Sequence, residues 1–100
     1  MEFEEPLKNG FTVYTKSGCL NCSKVKKFFY RKNIKFHSID CDEYLIENKP
    51  HFLFFIKTIS NVDYKMFPIV FKDGNFIGGY KDTIEYLEEI DLKLSFDESF

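Results

Sequence analysis

Two cysteines separated by two residues, Cys19-Leu20-Asn21-Cys22, are the part of this chain equipped for chemistry. They follow a short β-rich run, Phe11-Thr12-Val13-Tyr14-Thr15, and precede a helix-like pattern. A thiol placed where a strand hands over to a helix meets unpaired backbone N–H groups and the positive end of the helix dipole. Both favour a negative charge. There a cysteine pKa can be drawn from about 8.5 down to roughly 3.5–7.5, so that much of it is thiolate at neutral pH. The second thiol, about one turn further on, is close enough to attack a mixed disulfide formed at the first. The pair reads as a redox switch in which Cys19 is the nucleophile and Cys22 resolves.

That chemistry requires a helix starting at the pair. Val25, Phe28 and Phe29 fall at i, i+3 and i+4 and predict a helix from about Asn21 to Asn33, with basic residues around the remainder. Lys35 to Asp40 alternates as a second strand. Asp40 followed by Glu43 resembles a capping box opening a second helix, which Pro50 should interrupt or restart before it ends near Ser60. After a loop at 61–65, Pro68 to Phe71 reads as a strand, Asp73-Gly74 as a tight hairpin turn and Asn75 to Ile77 as its partner. Gly78-Gly79 breaks that strand. A last helix follows with Asp82 as N-cap, Glu85 three residues on, and Ile84, Leu87 and Ile90 facing inward. The order β-α-β-α-β-β-α predicts an α/β domain with a four-stranded mixed sheet flanked by helices on both faces. Residues 1–10 read as an N-terminal extension, 11–90 as the domain and 91–100 as a C-terminal tail.

One hundred residues bound the chain to one small domain, and 13 phenylalanines supply a core without disulfide staples. A net charge of −2 is not that of a nucleic-acid binder. Lys24, Lys26, Lys27, Arg31, Lys32 and Lys35 nevertheless crowd one segment, which reads as a solvated helix face or as a bias toward anionic substrates near Cys19. Acidic residues after Met1 do not resemble a signal peptide, and the longest apolar run, Phe52 to Ile56, is far too short to span a bilayer. Three cysteines argue against a secreted disulfide framework, so a reducing, cytoplasmic location is expected. No metal is expected either. A closed zinc site wants four ligands, and Cys41, His37 and His51 are not placed to complete one with the pair. Cys41 reads as a small, partly buried residue near a helix start.

Four separated features in this order resemble a glutaredoxin within the thioredoxin-like fold. They are Tyr14-Thr15-Lys16 leading into Cys19-Leu20-Asn21-Cys22, Met66-Phe67-Pro68 before a strand, Gly78-Gly79 after a hairpin, and Asp82 opening the final helix. The resemblance covers Phe11 to Ile90. It implies a thiol–disulfide oxidoreductase that reduces protein disulfides and glutathionyl mixed disulfides, with glutathione as co-substrate. Pro68 matches the cis-proline facing the thiols, which turns the backbone of Phe67 toward an incoming peptide. Lys16 matches a basic residue that contacts a glutathione carboxylate. Gly79 lets backbone approach closely. Tyr80, Lys81 and Asp82 would hold the γ-glutamyl group, with backbone N–H groups for its carboxylate and the Asp82 side chain for its ammonium.

The chain departs from the family where Leu20 and Asn21 replace the usual Pro and Tyr, and where Met66 replaces the usual threonine. Expected partners are glutathione and disulfide-containing client proteins, ribonucleotide reductase among them, with no nucleic acid and no membrane, and the chain is expected to be a monomer. Two alternatives stand beside this reading. One is a dedicated redoxin reduced by a thioredoxin-reductase-like flavoenzyme. The other is a carrier of a [2Fe–2S] cluster held between two protomers.

Overall fold

A computed structural model describes residues 2–98, with side chains as far as Ile90. Every residue of β1 (Phe11–Thr15) is buried in it. A strand covered on both faces belongs at the centre of a sheet. There β1 pairs in parallel with β2 (Phe36–Asp40) and antiparallel with β3 (Ile69–Lys72), and β3 pairs antiparallel with β4 (Asn75–Gly78). The strand order is β2-β1-β3-β4. The parallel pair needs a crossover, which α1 (Leu20–Arg31) supplies.

Alternation along the central strands splits the core in two. Phe11 and Val13 pack with Val25 and Phe29 of α1, Val70 of β3 and Leu87 of α3 (Tyr80–Glu98). Tyr14 joins Ile39, Ile69 and Phe71 against Phe52 and Ile56 of α2 (Asp42–Ser60). Each large apolar side chain buried in this way contributes about 1.5–3 kcal/mol. The two cores hold α1 and α3 against one face of the sheet and α2 against the other, and helices on both faces are what the sequence predicts.

The element ends differ from expectation in two instructive places. Asp40 does not cap α2. Cys41 takes the N-cap position, and the Asp40 carboxylate accepts the Asp42 N–H at 3.0 Å instead. Asp82 does not cap α3 either. The Gly79 carbonyl accepts the first helical bond, from the Thr83 N–H at 3.1 Å, so Gly79 is the cap. Asp82 lies three residues on and reaches back to accept the Gly79 N–H at 3.1 Å. At Pro50 and at the β3–β4 hairpin the expectations hold. The helical path of α2 breaks at Asn48 (φ −156°, ψ 54°), two residues before Pro50. The β3–β4 hairpin turns through Asp73 and Gly74 with φ of 53° and 81°, both positive as a two-residue primed turn requires.

The segment 3–10 is docked on the domain. The Phe3 ring lies 5.0 Å from Tyr44 and 5.4 Å from both Phe52 and Phe55. The Glu4 carbonyl accepts the Tyr14 hydroxyl at 2.6 Å, and the Gly10 N–H donates to Asp73 at 2.6 Å. At the other end α3 continues to Glu98. The stretch read as a tail from Asp91 therefore carries helical backbone, while its side chains and residues 99–100 lie outside the described residues.

Candidate active site

The pair sits at the start of α1. Cys19 is the N-cap residue, with extended backbone (φ −101°, ψ 105°), and its Sγ accepts the Cys22 N–H at 3.1 Å. The two sulfurs are bonded to each other, with their Cα atoms 5.3 Å apart. Their surroundings are unequal. Cys19 is half-buried and lines an open groove of about 590 Å³ with Lys16, Lys26 and Asp40. Cys22 is 3 % exposed, because it lies on the inward stripe of α1 with Val25 and Phe29.

The loop ahead of the pair is fixed from α2. The Asp42 carboxylate accepts the Ser17 N–H at 2.8 Å and the Ser17 hydroxyl as well. These bonds hold the Asp42 carboxyl below the usual carboxylate range. Gly18 then turns with φ +71°, a left-handed conformation that suits glycine. Lys16 is exposed, and its Nζ lies 5.5 Å from the centroid of the Phe67 ring. Thus one end of the 65–68 segment is within reach of the loop that precedes Cys19.

The Phe67–Pro68 peptide is cis, and Pro68 is fully buried. Phe67 is half-buried, its ring stacked on Phe52 at 6.3 Å. Beside it opens a second groove of about 380 Å³. Phe67, Gly79, Tyr80, Lys81 and Asp82, all named from sequence, line it together with Asn21, Lys24, Tyr64 and Met66. Lys16 and the two cysteines line the first groove instead. The expected residues thus line two hollows that each reach the first turn of α1, except Pro68, which is buried and lines neither. Asn21, inside the cysteine pair, brings the second one to the chemistry.

Sequence reasoning missed Tyr64. Its hydroxyl occupies the space into which a side chain at Gly79 would project. Burial, then the charge of Asp82, pushes its phenol up from the ordinary value. Nothing in the loop pattern at 61–65 singled it out, since the contact joins two segments far apart in the chain.

Cys41 is wholly buried, more than the sequence suggested, with its thiol directed at the Ile39 carbonyl at 3.6 Å. Burial, then the neighbouring Asp40, pushes that thiol up to about 12. His37 pairs with Glu4 at 2.5 Å, and His51 is exposed. Among the described residues no group of three or more His, Cys, Asp or Glu side chains is arranged to hold a metal ion. No helix among them is long and apolar enough to cross a membrane.

Comparison with known proteins places this arrangement. The glutaredoxin family model matches residues 11–77, which includes the cysteine pair and the cis-proline. The chain is 29 % identical over 72 residues to the glutaredoxin-like protein NrdH of Lactococcus lactis subsp. cremoris, covering 72 % of this chain and 89 % of that one. It is 28 % identical over 83 residues to the mitochondrial glutaredoxin-2 of Mus musculus, covering 82 % of this chain but only 51 % of the mouse protein. Among solved structures, glutaredoxin 1 from Francisella tularensis complexed with cacodylate superposes with a TM-score of 0.70 at 24 % identity, over 80 % of this chain and 93 % of the other. A buckwheat glutaredoxin–glutathione complex superposes at 0.65 and 24 % identity, over 90 % and 78 %. The fold is thioredoxin-like, and the chain belongs to the glutaredoxin family of thiol–disulfide oxidoreductases.

Proposed function

We propose that the protein reduces protein disulfides and glutathionyl mixed disulfides through Cys19 and Cys22, with glutathione as the reductant. The unequal exposure of the two cysteines carries this reading. A client disulfide R–S–S–R′ can reach Cys19 and not Cys22. The Cys19 thiolate attacks one client sulfur, forms the mixed disulfide Cys19–S–S–R and expels R′S⁻, which takes up a proton. Cys22 then loses its proton and attacks the Cys19 sulfur, releasing RS⁻ and leaving the Cys19–Cys22 disulfide. Two electrons have passed from the dithiol to the client. Two glutathione thiols return them in two exchanges and leave as glutathione disulfide.

The Cys22 amide stabilises charge on the Cys19 sulfur, as N–H groups at a helix start do. Phe67, Tyr80, Lys81 and Asp82 line a groove of suitable size for a tripeptide, which meets the cysteine pair at Asn21. The buckwheat structure, a glutaredoxin–glutathione complex, supports this use of it. Lys16 supplies positive charge for a glutathione carboxylate. A cytoplasmic location suits the cycle, because it needs a reducing pool.

A second reading changes the donor. Leu20-Asn21 inside the pair and the match to a relative named glutaredoxin-like favour a dedicated redoxin, reduced by a flavoenzyme and serving a client such as ribonucleotide reductase. A coupled assay offering glutathione and thioredoxin reductase as alternative donors separates the two. In the glutathione-fed assay Cys19→Ser should abolish all turnover, while Cys22→Ser should keep deglutathionylation and lose disulfide reduction. Equal loss of both activities in Cys22→Ser would overturn the two-step scheme.

A further inference from the structure

The redox cycle leaves one strongly biased surface unused. From Pro6 to Ile39 the chain carries Lys8, Lys16, Lys24, Lys26, Lys27, Arg31, Lys32 and Lys35 and not a single Asp or Glu, although its net charge is −2. α1 concentrates this charge at the chemistry. A groove of about 530 Å³ runs along it, lined by Lys24, Lys27, Tyr30, Arg31 and Tyr80. Tyr30 is 68 % exposed, and the Lys24 Nζ lies 5.9 Å from the centroid of the Tyr80 ring. Lys24 and Tyr80 also line the groove assigned above to glutathione, so the two hollows are neighbours with these two side chains in common. Two apolar side chains stand outward near the pair, Leu20 and Met66, each 70 % exposed.

We propose that this α1 groove docks an acidic segment of the client protein, running from the mixed disulfide at Cys19 past Tyr80 to Tyr30. The proposal rests on the redox reading and names its client class. Lys24, Lys27 and Arg31 present cations with no carboxylate on the same helix to neutralise them. Tyr30 and Tyr80 add rigid amphipathic surface of the kind that anchors peptides at little entropic cost. Leu20 and Met66 suit apolar residues flanking the client disulfide. That rim favours a polypeptide over a nucleic acid, which has no disulfide to present. A tripeptide in the glutathione groove does not need Lys27, Tyr30 or Arg31, so the docking surface adds selectivity for proteins without altering the small-substrate reaction.

The test uses a synthetic peptide disulfide flanked by Asp residues and a twin with Lys in their places. At low salt the Asp peptide should be reduced at least about tenfold faster in kcat/KM, with the gap narrowing as salt rises. Lys27→Glu/Arg31→Glu should erase the preference while the rate on a small glutathionyl disulfide is kept, and Lys27→Glu alone should erase part of it. Equal rates on the two peptides in the parent protein, or a preference that survives the double substitution, would overturn the proposal. Fluorescence anisotropy with the same peptides carrying Ser for Cys reads docking without chemistry. A preference in binding with no turnover would leave the docking site standing and remove the redox reading. A single-stranded oligonucleotide that binds more tightly than the Asp peptide would reassign the groove to nucleic acid.

Discussion

Replacing Gly79 by Ala puts a methyl group onto the Tyr64 hydroxyl, and the cost can be worked from the surroundings. The ring carbon that carries the hydroxyl lies 3.5 Å from the added carbon, and the Pro68 carbonyl 3.6 Å, both ordinary van der Waals separations. The clash is therefore with one oxygen atom. Gly79 is also the cap of α3, where Ala is worse than Gly by about 1 kcal/mol. The stiffer unfolded chain returns about 0.4–1 kcal/mol, so these two effects roughly offset. Overpacking costs about 1–3 kcal/mol in general. Tyr64 is half-buried in a loop and its tip can shift, which points to the lower half of that range, about 1–2 kcal/mol. Tyr64→Phe removes the offending atom, so Gly79→Ala should cost almost nothing in that background. Urea unfolding of the four proteins closes a double-mutant cycle with an expected coupling of about 1–2 kcal/mol. A coupling below about 0.5 kcal/mol, the size seen for independent sites, would show that Tyr64 does not fill the space beside Gly79.

Other outcomes follow from the same description. Ser17 holds the Asp42 carboxyl low, so the stability it contributes is present above the unfolded carboxyl value of about 4 and is lost as pH falls through the lower folded value. Urea midpoints of the parent and Asp42→Asn should differ at neutral pH and converge in acid. A gap that persists unchanged to the lowest pH would refute this. A thiol reagent added to the reduced protein should react first at Cys19 and leave Cys41 intact until denaturant is added, because Cys41 is wholly buried and burial pushes its thiol up to about 12. Prompt reaction of a third thiol would contradict that burial. Phe3→Ala should destabilise the fold by about 2 kcal/mol, below the range for fully buried Phe because Phe3 is half-buried. An unchanged urea midpoint would mean that the first residues add nothing to the core.

The cysteine pair, its helix and the order of elements along the chain were legible because each rests on a local pattern. Val25 and Phe29 repeat at helical spacing, and Asp73-Gly74 is a turn signal in its own right. Pro68 is legible as the cis-proline only through the resemblance to a glutaredoxin, carried by Met66-Phe67-Pro68 ahead of a strand. The helix starts were harder. An acid three residues before a Glu fits a capping box at Asp40 and at Asp82, yet both caps fall elsewhere. At α3 the true cap is a glycine with no side chain to advertise it, and Asp82 fills the return position of the box. Contacts between distant segments left no local trace at all. Phe3 in the α2 aromatic cluster and Tyr64 beside Gly79 are single residues, and periodicity cannot mark a single residue.

The Cys22 amide has a second consequence, for how inactive forms of the protein should be made. The same donor that would steady a reacting sulfur also closes the first turn of α1, so a variant that deletes the side chain at position 19 removes a structural bond along with the reactivity. Serine keeps an acceptor in that place and alanine does not, a difference of about 1 kcal/mol in helix closure. A trapping or null control built on alanine would confound lost chemistry with a loosened scaffold.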